Sequence, residues 1–280
     1  MSRTVAVIGG GYGGAAVAKA LESEADVVLI DPRDAFVNAA ASLRGADRVL
    51  ILGAGPVGLE LAGEIKEVWP DKRVTVTDPA GELLPGFEPE VVADLRGRLD
   101  ALGVEVRLGT ALAAQPDTGP GLAGAFTVAT TGGDEITADI WFRAHGTRTN
   151  SDYLADGRLT GRTPQGRVPV TATLNVRGND HVYAVGDITD VAEAKMAGYA
   201  MQHAEVVARN ITAQLNGEPP TAEYRPLDHP MILLPLGTTG GVGQLPSPDG
   251  PFVAPSAMVS EYKGADLFTG RFVEQFGPTA

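Results

Sequence analysis

The sequence predicts an α/β protein built from two successive strand–helix–strand units and a small α+β segment at its C-terminal end. An apolar, β-branched run at 4–9 leads through a cluster of glycines into an Ala- and Leu-rich helix, and a second apolar strand follows at 27–31. The same order of strand, glycine turn, helix and strand returns at 48–78. This internal repeat indicates duplicated parallel βαβ units.

Three further elements follow from local patterns. A helix is predicted at 88–102, with Gly103 as its C-cap and a strand directly after it. The alternating stretch 126–140 predicts a hairpin that turns at Gly132-Gly133.

The last third of the chain is expected to contain one more buried strand and one long helix. The apolar run 181–187 predicts the strand, and an Ala- and Met-rich stretch at about 194–215 predicts the helix, which stops at Asn216-Gly217. Prolines and glycines interrupt the remainder, so short strands are expected there.

Composition limits the kinds of partner. With 22 basic and 35 acidic residues the formal charge is −13, which disfavours nucleic acid and anionic membrane surfaces. The chain has no cysteine and its four histidines are scattered, so neither a dithiol centre nor a metal site is expected. No apolar stretch is long enough for a transmembrane segment and no signal sequence is evident, so a cytoplasmic protein is expected.

The first glycine cluster fits the dinucleotide-binding pattern of a Rossmann-like unit. Gly9, Gly11 and Gly14 follow a strand and begin a helix, and Asp31 ends the next strand. The first glycine allows a tight turn, the second lets a pyrophosphate approach the backbone, and the third allows close packing. Asp31 is then placed to accept hydrogen bonds from a ribose, and Tyr12 either covers the pyrophosphate or fills the loop.

The second cluster repeats this pattern with Gly53, Gly55 and Gly58, and with Asp78 at the end of the following strand. An acid at that position accepts the ribose 2′-hydroxyl and repels a 2′-phosphate. No basic residue follows in 79–82, so NADH is favoured over NADPH. Two copies with strand, helix and acid in place are much more specific than one.

Two such units resemble the flavoproteins with two dinucleotide-binding domains, the pyridine nucleotide-disulfide oxidoreductase type. A third motif, 180–187, resembles the closing flavin strand of that family, whose final acid binds the ribityl and pyrophosphate region. The stretch 195–204 resembles the segment that passes the isoalloxazine ring. More narrowly, motifs such as 58–65, 241–244 and 266–268 resemble the ferroptosis-suppressor, apoptosis-inducing-factor-like NADH:quinone oxidoreductases.

The resemblance implies a fold in which an NAD(H)-type domain at 46–149 interrupts a truncated FAD-type domain at 1–45 and 150–222, with a C-terminal segment at 223–280. It implies FAD and NADH as cofactors and a quinone-like or other small molecule as electron acceptor. The predicted cofactor-binding residues are Gly9, Gly11, Tyr12, Gly13, Gly14, Asp31, Arg44, Gly53, Gly55, Pro56, Val57, Gly58, Glu60, Asp78, Gly146, Gly186, Asp187, Lys195, Met196 and Ala197.

Catalytic roles are expected for Glu60 and Lys195 by the same resemblance. Glu60 matches a glutamate that orients the nicotinamide or relays a proton, and its alternative is a solvated helix residue. Lys195 would stabilise a reduced flavin, or is a surface lysine at a helix start. His145 is expected in a turn near the cofactor, and His203 either touches a flavin or packs on its helix.

The sequence departs from this family in one respect. Gly9 and Gly53 are only 44 residues apart, and by the resemblance about 100 residues, comparable to a small domain, are absent between them. A natural deletion that abolished redox function, an engineered or alternatively expressed form, and a variant whose homodimer rebuilds the site are all open explanations. Glu274 also stands where relatives are expected to carry a basic residue.

This departure motivates a second hypothesis besides the FAD-dependent NADH oxidoreductase. A flavin-less relative would keep the scaffold, and it would act as an NAD(H)-binding protein or as a non-redox enzyme of the cyclase or isomerase type.

Overall fold

A computed structural model describes residues 4–8, 12–21, 23–30, 40–145 and 148–266. Contacts divide the chain into two compact units. The first comprises Met1–Ala35, Thr147–Asp228 and Pro278–Ala280, and the second comprises Phe36–Gly146 and His229–Gly277.

Strands and helices alternate in the first half of the chain, and short strands follow the long helix of the second half. The strands are β1 (Thr4–Ile8), β2 (Asp26–Ile30), β3 (Arg48–Leu52), β4 (Arg73–Asp78), β5 (Val104–Leu108), β6 (Phe126–Ala129), β7 (Glu135–Ala138), β8 (Ile140–Arg143), β9 (Ile232–Pro235), β10 (Gly241–Ser247) and β11 (Gly250–Ala254). The helices are α1 (Tyr12–Leu21), α2 (Ala40–Arg44), α3 (Pro56–Val68), α4 (Pro89–Ala101), α5 (Ala197–Leu215) and α6 (Ser256–Val259), and a π-helical turn, Ser260–Gly264, continues α6.

The first unit joins a parallel strand pair to two packed helices. β1 and β2 pair in parallel from Thr4 opposite Asp26 to Ile8 opposite Ile30. The helix that connects these strands, α1, packs against α5. The two helices approach closely at Gly13, where a Cβ would lie 3.3 Å from the carbonyl oxygen of Ala200. The predicted βαβ order of this unit is therefore confirmed.

The strand predicted at 181–187 is wrong. Of these residues only Tyr183 forms a bridge, an antiparallel one to Asn175, and Gly186–Ile188 forms a 3-10 turn. Beside this bridge Val182 accepts from the N–H of Val176 and Ala184 donates to the carbonyl of Leu174, but a strand requires a longer ladder of such bonds. In the described part of the first unit, the only paired strands are β1 and β2.

The second unit contains a parallel sheet of four strands in the order β5-β4-β3-β8. This order is that of one half of a Rossmann fold, in which the first strand is flanked by the second on one side and the fourth on the other. The sequence analysis did not separate β8 from the preceding hairpin, although Ile140 and Trp141 begin an apolar run there. The α/β class with parallel sheets is confirmed.

The core of the second unit lies on both faces of this sheet. On one face the buried residues of β3 and β4 pack against α3, α4 and the C-terminal strands, and Ile51, Val76 and Leu95 are among the fully buried members. On the other face the hairpin β6–β7 covers β3, with Trp141 buried between them. The hairpin turns at Gly133, whose φ of +94° favours glycine, as predicted.

The C-terminal strands β9, β10 and β11 form an antiparallel sheet that shares the helical face of this core. Gln244 on β10 is buried and connects two elements, because it accepts from the backbone N–H of Glu88 and donates to the carbonyl of Pro230. Gly63 on α3 allows close contact with the turn after β9, since a Cβ there would lie 2.6 Å from Cα of Leu236.

Candidate functional site

The carboxyl edge of the parallel sheet in the second unit is where this fold is expected to bind a ligand. In open α/β sheets ligands bind where neighbouring strands send their connections to opposite sides, and here that point lies between β3 and β8. The turn after β3 begins at Gly53, and β8 is followed by Ala144 and His145. The strand order therefore brings the second glycine pattern and His145 to one place.

Two glycines of this pattern are required by close packing. Gly53 has a φ of +117°, and a Cβ there would lie 2.7 Å from the backbone of Ala144. A Cβ on Gly58 would lie 2.0 Å from the carbonyl oxygen of Gly53. The loop therefore folds back on the first turn of α3 and against the end of β8, which only glycine permits at both positions.

The middle glycine is different, since it faces open space. A Cβ on Gly55 would meet no atom within 4 Å. Gly55 precedes α3 as its N-cap, Pro56 occupies the first helical turn, and the side chain of Val57 is exposed. The first N–H groups of a helix have no acceptor within it and carry a partial positive charge. The start of α3 can therefore receive a pyrophosphate, and this part of the structure fits a dinucleotide.

Asp78 ends β4 beside this loop. Its Oδ2 accepts from the N–H of Ala54 at 2.8 Å, and its Oδ1 accepts from the N–H of Ala80 at 2.7 Å. These bonds fix the carboxylate against the glycine turn. Each oxygen retains a second lone pair, so the carboxylate can still accept from a ribose hydroxyl.

Glu60 lies in the first half of α3, and its side chain is mostly buried. Its Oε1 lies 2.6 Å from Nζ of Lys263, and about a quarter of each side chain is exposed, at 22% and 23%. Burial raises the pKa of Glu60, and the ammonium of Lys263 partly opposes that rise. Lys263, which also donates to the carbonyl of Leu233, was not singled out from the sequence. The signal available was only its place beside the 266–268 motif.

Two further carboxylates lie on α3 after Glu60. Glu64 and Glu67 lie one and two turns beyond Glu60. Burial, and then the charges of Glu67 and Glu60, raise the pKa of Glu64. Glu67 accepts from the backbone N–H of Thr238 at 2.5 Å and also from its hydroxyl, so it holds the turn after β9.

In the first unit the Gly186–Asp187 pair lies in a tight turn. Gly186 is buried with a φ of +71°, and a Cβ there would lie 3.1 Å from Cβ of Ala200. The side chain of Asp187, the next residue, is exposed. A buried, left-handed glycine followed by an exposed acid suits a turn that offers a carboxylate to a ligand.

His203 on α5 packs inside the first unit. Its ring is fully buried, and its Nδ1 accepts from the N–H of Gly186 at 3.0 Å. The ring forms a T-shaped contact with that of Tyr224, with the two ring centroids 4.2 Å apart. Its Nε2 lies 2.8 Å from Oε1 of Glu193, although the ring N–H is not aligned for a straight hydrogen bond. Of the two alternatives from the sequence, packing on the helix describes His203.

The segment before α5 contains the other predicted flavin residues. Lys195 is half-buried and donates from Nζ to the carbonyl of Val191 at 2.8 Å. Burial, and then the charge of Arg167, lower its pKa. Met196 is the N-cap of α5, and Ala197 is its first residue.

The remaining predicted residues divide into two groups. Gly9, Gly11, Asp31 and Gly146 lie outside the described residues, as does Glu274. Tyr12, Gly13 and Gly14 form the first residues of α1, and Arg44 is the exposed last residue of α2. The structure thus brings Asp78 to the glycine loop that begins at Gly53. Separately, it places Gly13 against Ala200, which also packs on Gly186.

Comparison with known proteins agrees with this geometry. Residues 37–207, more than half of the chain, match the pyridine nucleotide-disulphide oxidoreductase family. The chain belongs to this family. Its membership confirms the resemblance inferred from the two glycine patterns, and FAD and NAD(H) are the cofactors that the family and its FAD-dependent relatives support.

Two curated relatives are similar over most of the chain. The FAD-dependent oxidoreductase FVFD30 of Flammulina velutipes is 34% identical over 202 residues, which cover 71% of this chain and 60% of that protein. Ferroptosis suppressor protein 1 of Taeniopygia guttata is 30% identical over 240 residues, which cover 84% and 62%. The chain therefore spans less than two thirds of the length of these relatives.

A solved structure shows the same fold. An FAD-dependent pyridine nucleotide-disulphide oxidoreductase from Desulfovibrio vulgaris superposes with a TM-score of 0.65 over 86% of this chain and 77% of that chain, at 18% identity. None of the helices in the described part of the chain has the length and apolar character needed to cross a bilayer.

Proposed function

We propose that the chain is an FAD-dependent NADH oxidoreductase that passes electrons to a quinone-like or other small acceptor. The observation that carries the proposal is the loop of the second unit, where Gly53 and Gly58 pack tightly while Gly55 faces open space at a helix start. FAD, when bound, supplies the chemistry by accepting a hydride from NADH and passing on the electrons.

The loop residues have distinct tasks in this proposal. The N–H groups at the start of α3 receive the pyrophosphate of NADH, and Gly55 gives it room. Asp78 accepts from the adenosine ribose and, as a fixed negative charge, repels the 2′-phosphate of NADPH. Asp78→Asn is therefore expected to weaken NADH binding and to reduce the discrimination against NADPH.

The first unit is proposed to bind FAD, with residues 1–45 and 150–222 derived from an FAD domain and 46–149 from an NAD(H) domain. Within the described residues, the fit rests on the turn at Gly186, which leaves Asp187 exposed. Lys195, near the start of α5, is proposed to place its positive charge close to a reduced flavin.

Glu60 is proposed to act at the nicotinamide, by orienting it or by holding a proton. A carboxyl group whose pKa is raised by burial retains a proton closer to neutral pH, and Lys263 limits that rise. The contact of 2.6 Å between Nζ of Lys263 and Oε1 of Glu60 therefore influences whether the carboxyl group is protonated.

Absorbance spectroscopy of the purified protein, with FAD added, tests the proposal. A bound flavin band in the blue that bleaches on addition of NADH is expected, and NADPH should bleach it more slowly. Protein that takes up no FAD would refute the proposal. If such protein still bound NADH, it would agree with the flavin-less alternative, which the 44-residue spacing motivates.

A quinone-like acceptor is tested in the same protein. NADH oxidation should accelerate when a soluble quinone analogue is added, and Glu60→Gln should slow this oxidation more than it weakens NADH binding. An equal effect on both would remove Glu60 from the chemistry.

A further inference from the structure

The turn at Gly186 is held on both sides of its backbone. Its N–H donates to Nδ1 of His203 at 3.0 Å, and its carbonyl accepts from the hydroxyl of Thr189 at 2.9 Å. Ala200 and His203 lie one turn apart on α5, so the same helix face packs on Gly186 and hydrogen-bonds it. The exposed Asp187 follows directly, and its backbone position depends on this attachment.

The hydrogen bond to Gly186 selects one form of the His203 ring. Nδ1 must be unprotonated to accept an N–H, so the ring proton of the neutral form is on Nε2. Nε2 lies 2.8 Å from Oε1 of Glu193, whose side chain is only 7% exposed. The buried carboxylate therefore favours the tautomer that the turn requires.

Tyr224 completes this group from the segment after α5. Its hydroxyl donates to Oε2 of Glu193 at 2.5 Å, and its ring packs edge-on against that of His203. Burial, and then the carboxylate of Glu193, raise the pKa of Tyr224, so it stays a donor. The phenol donates to one oxygen of the Glu193 carboxylate, and Nε2 of the imidazole lies 2.8 Å from the other.

We propose that His203 is the positioning residue of the Gly186–Asp187 turn and that its unprotonated Nδ1 keeps the turn in the shape that presents Asp187 to FAD. The role of FAD rests on the proposed function. Glu193 and Tyr224 set the tautomer and orientation of His203. Neither residue was singled out from the sequence.

The arrangement couples the turn to pH. Protonation of Nδ1 would place two donors face to face, so the turn loses its attachment as the ring becomes charged. Burial lowers the pKa of His203, while Glu193 and Asp187 raise it and Lys195 lowers it. A base with a depressed pKa in the folded state contributes stability that is lost as pH falls below its ordinary value. The turn is therefore firm at neutral pH and loosens in acid.

Two isosteric variants separate the contacts of the ring. His203→Asn keeps an acceptor near the position of Nδ1 and does not titrate, whereas His203→Gln keeps a donor near Nε2 and removes the acceptor. Val207→Ala, at another buried position on α5, is the matched control for loss of packing.

Amide hydrogen exchange at Gly186, measured on the full chain without nucleotide, is the first readout. His203→Gln should accelerate exchange by about 10-fold because a buried N–H loses its acceptor, while His203→Asn and Val207→Ala stay near wild type. In the wild type, the protection of the Gly186 amide, corrected for the pH dependence of intrinsic exchange, should fall in acid. In His203→Asn this protection should not depend on pH in the same way, because the asparagine does not titrate. Equal exchange in the Asn and Gln variants, or loss in Val207→Ala equal to that in the Gln variant, would overturn the proposal.

FAD titration followed by quenching of flavin fluorescence is the second readout. His203→Gln should raise the Kd for FAD by about 10-fold, because one buried contact is lost, whereas the Kd of His203→Asn should stay near that of the wild type. Unchanged FAD affinity in His203→Gln despite faster exchange would overturn the link to Asp187. Failure of the wild type to bind FAD would refute the proposed function instead, because the exchange measurement needs no flavin.

Discussion

Gly58→Ala should destabilise the second unit, although alanine is the better helix former. The new Cβ would lie 2.0 Å from the carbonyl oxygen of Gly53 and 3.1 Å from Cβ of Ala144. Relief requires a shift of the loop backbone by about 1 Å, and Gly53 is tied by its N–H to the carbonyl of Thr77 at 2.8 Å.

The size of the effect follows from two opposing contributions. Overpacking of this kind costs about 1–3 kcal/mol, and replacing glycine within a helix returns about 1 kcal/mol. We expect a net loss of up to about 2 kcal/mol, which corresponds to a fall in Tm of up to roughly 8 °C. Gly97→Ala on α4 is the matched control, because its Cβ would meet no atom within 4 Å. It should raise the free energy of unfolding by up to about 1 kcal/mol.

Urea unfolding followed by tryptophan fluorescence measures this difference. Both tryptophans, Trp69 and Trp141, belong to the second unit, so the signal reports that unit alone. The two Gly→Ala variants should shift the midpoint in opposite directions. If Gly58→Ala stabilised the unit as Gly97→Ala does, the close packing of the loop before α3 would be refuted.

Three further predictions use the same unfolding assay or nucleotide titration. Gly55→Ala should lower NADH affinity by about 10-fold or more, because its Cβ would enter the open space before α3. The free energy of unfolding should change by no more than about 1 kcal/mol. Unchanged NADH affinity would show that the pyrophosphate does not bind there. Lys263→Met should raise the pKa of Glu60 further. A carboxyl group with a raised pKa in the folded state lowers the free energy of unfolding as pH rises through that pKa. The variant should therefore be less stable than wild type by about 1–3 kcal/mol at neutral pH and close to wild type in acid. A pH-independent loss, or the same pH dependence after adding Glu60→Gln, would contradict this. Hydrogen bonds from Arg48 lower the pKa of Asp139. Asp139→Asn should therefore reduce the free energy of unfolding at pH values above the ordinary aspartate range, and this loss should vanish as pH falls below that range. Asp94→Asn is the control, because Asp94 forms an exposed pair with Arg98, and it should change stability little.

Local patterns predicted most of the elements because they report the properties of single segments. The helix at 88–102 ends at Gly103, which has a φ of +68°, and α5 stops before Gly217, as their glycines indicate. The strand at 181–187 was wrong, because a strand needs a hydrogen-bonding neighbour that its own residues do not specify.

The candidate site shows the same division. The spacing of Gly53, Gly55 and Gly58 predicted a phosphate loop with a separate task for each glycine, and the folded backbone agrees, because Gly55 faces open space while the other two pack closely. Glu60 was singled out by its match to a glutamate of the family, and its role stays a prediction. Its partner Lys263 lies 203 residues away in sequence, and no local pattern connects the two.

By itself the sequence determined the α/β class, the two dinucleotide patterns and the family, since each depends on residue types at short, regular spacing. Only the tertiary structure decided which side chains become partners: Lys263 with Glu60, and His203 with Gly186, Glu193 and Tyr224. The physical reason is that burial and charge pairing depend on distances between segments far apart in the chain. Those distances arise only when the sheets and helices pack.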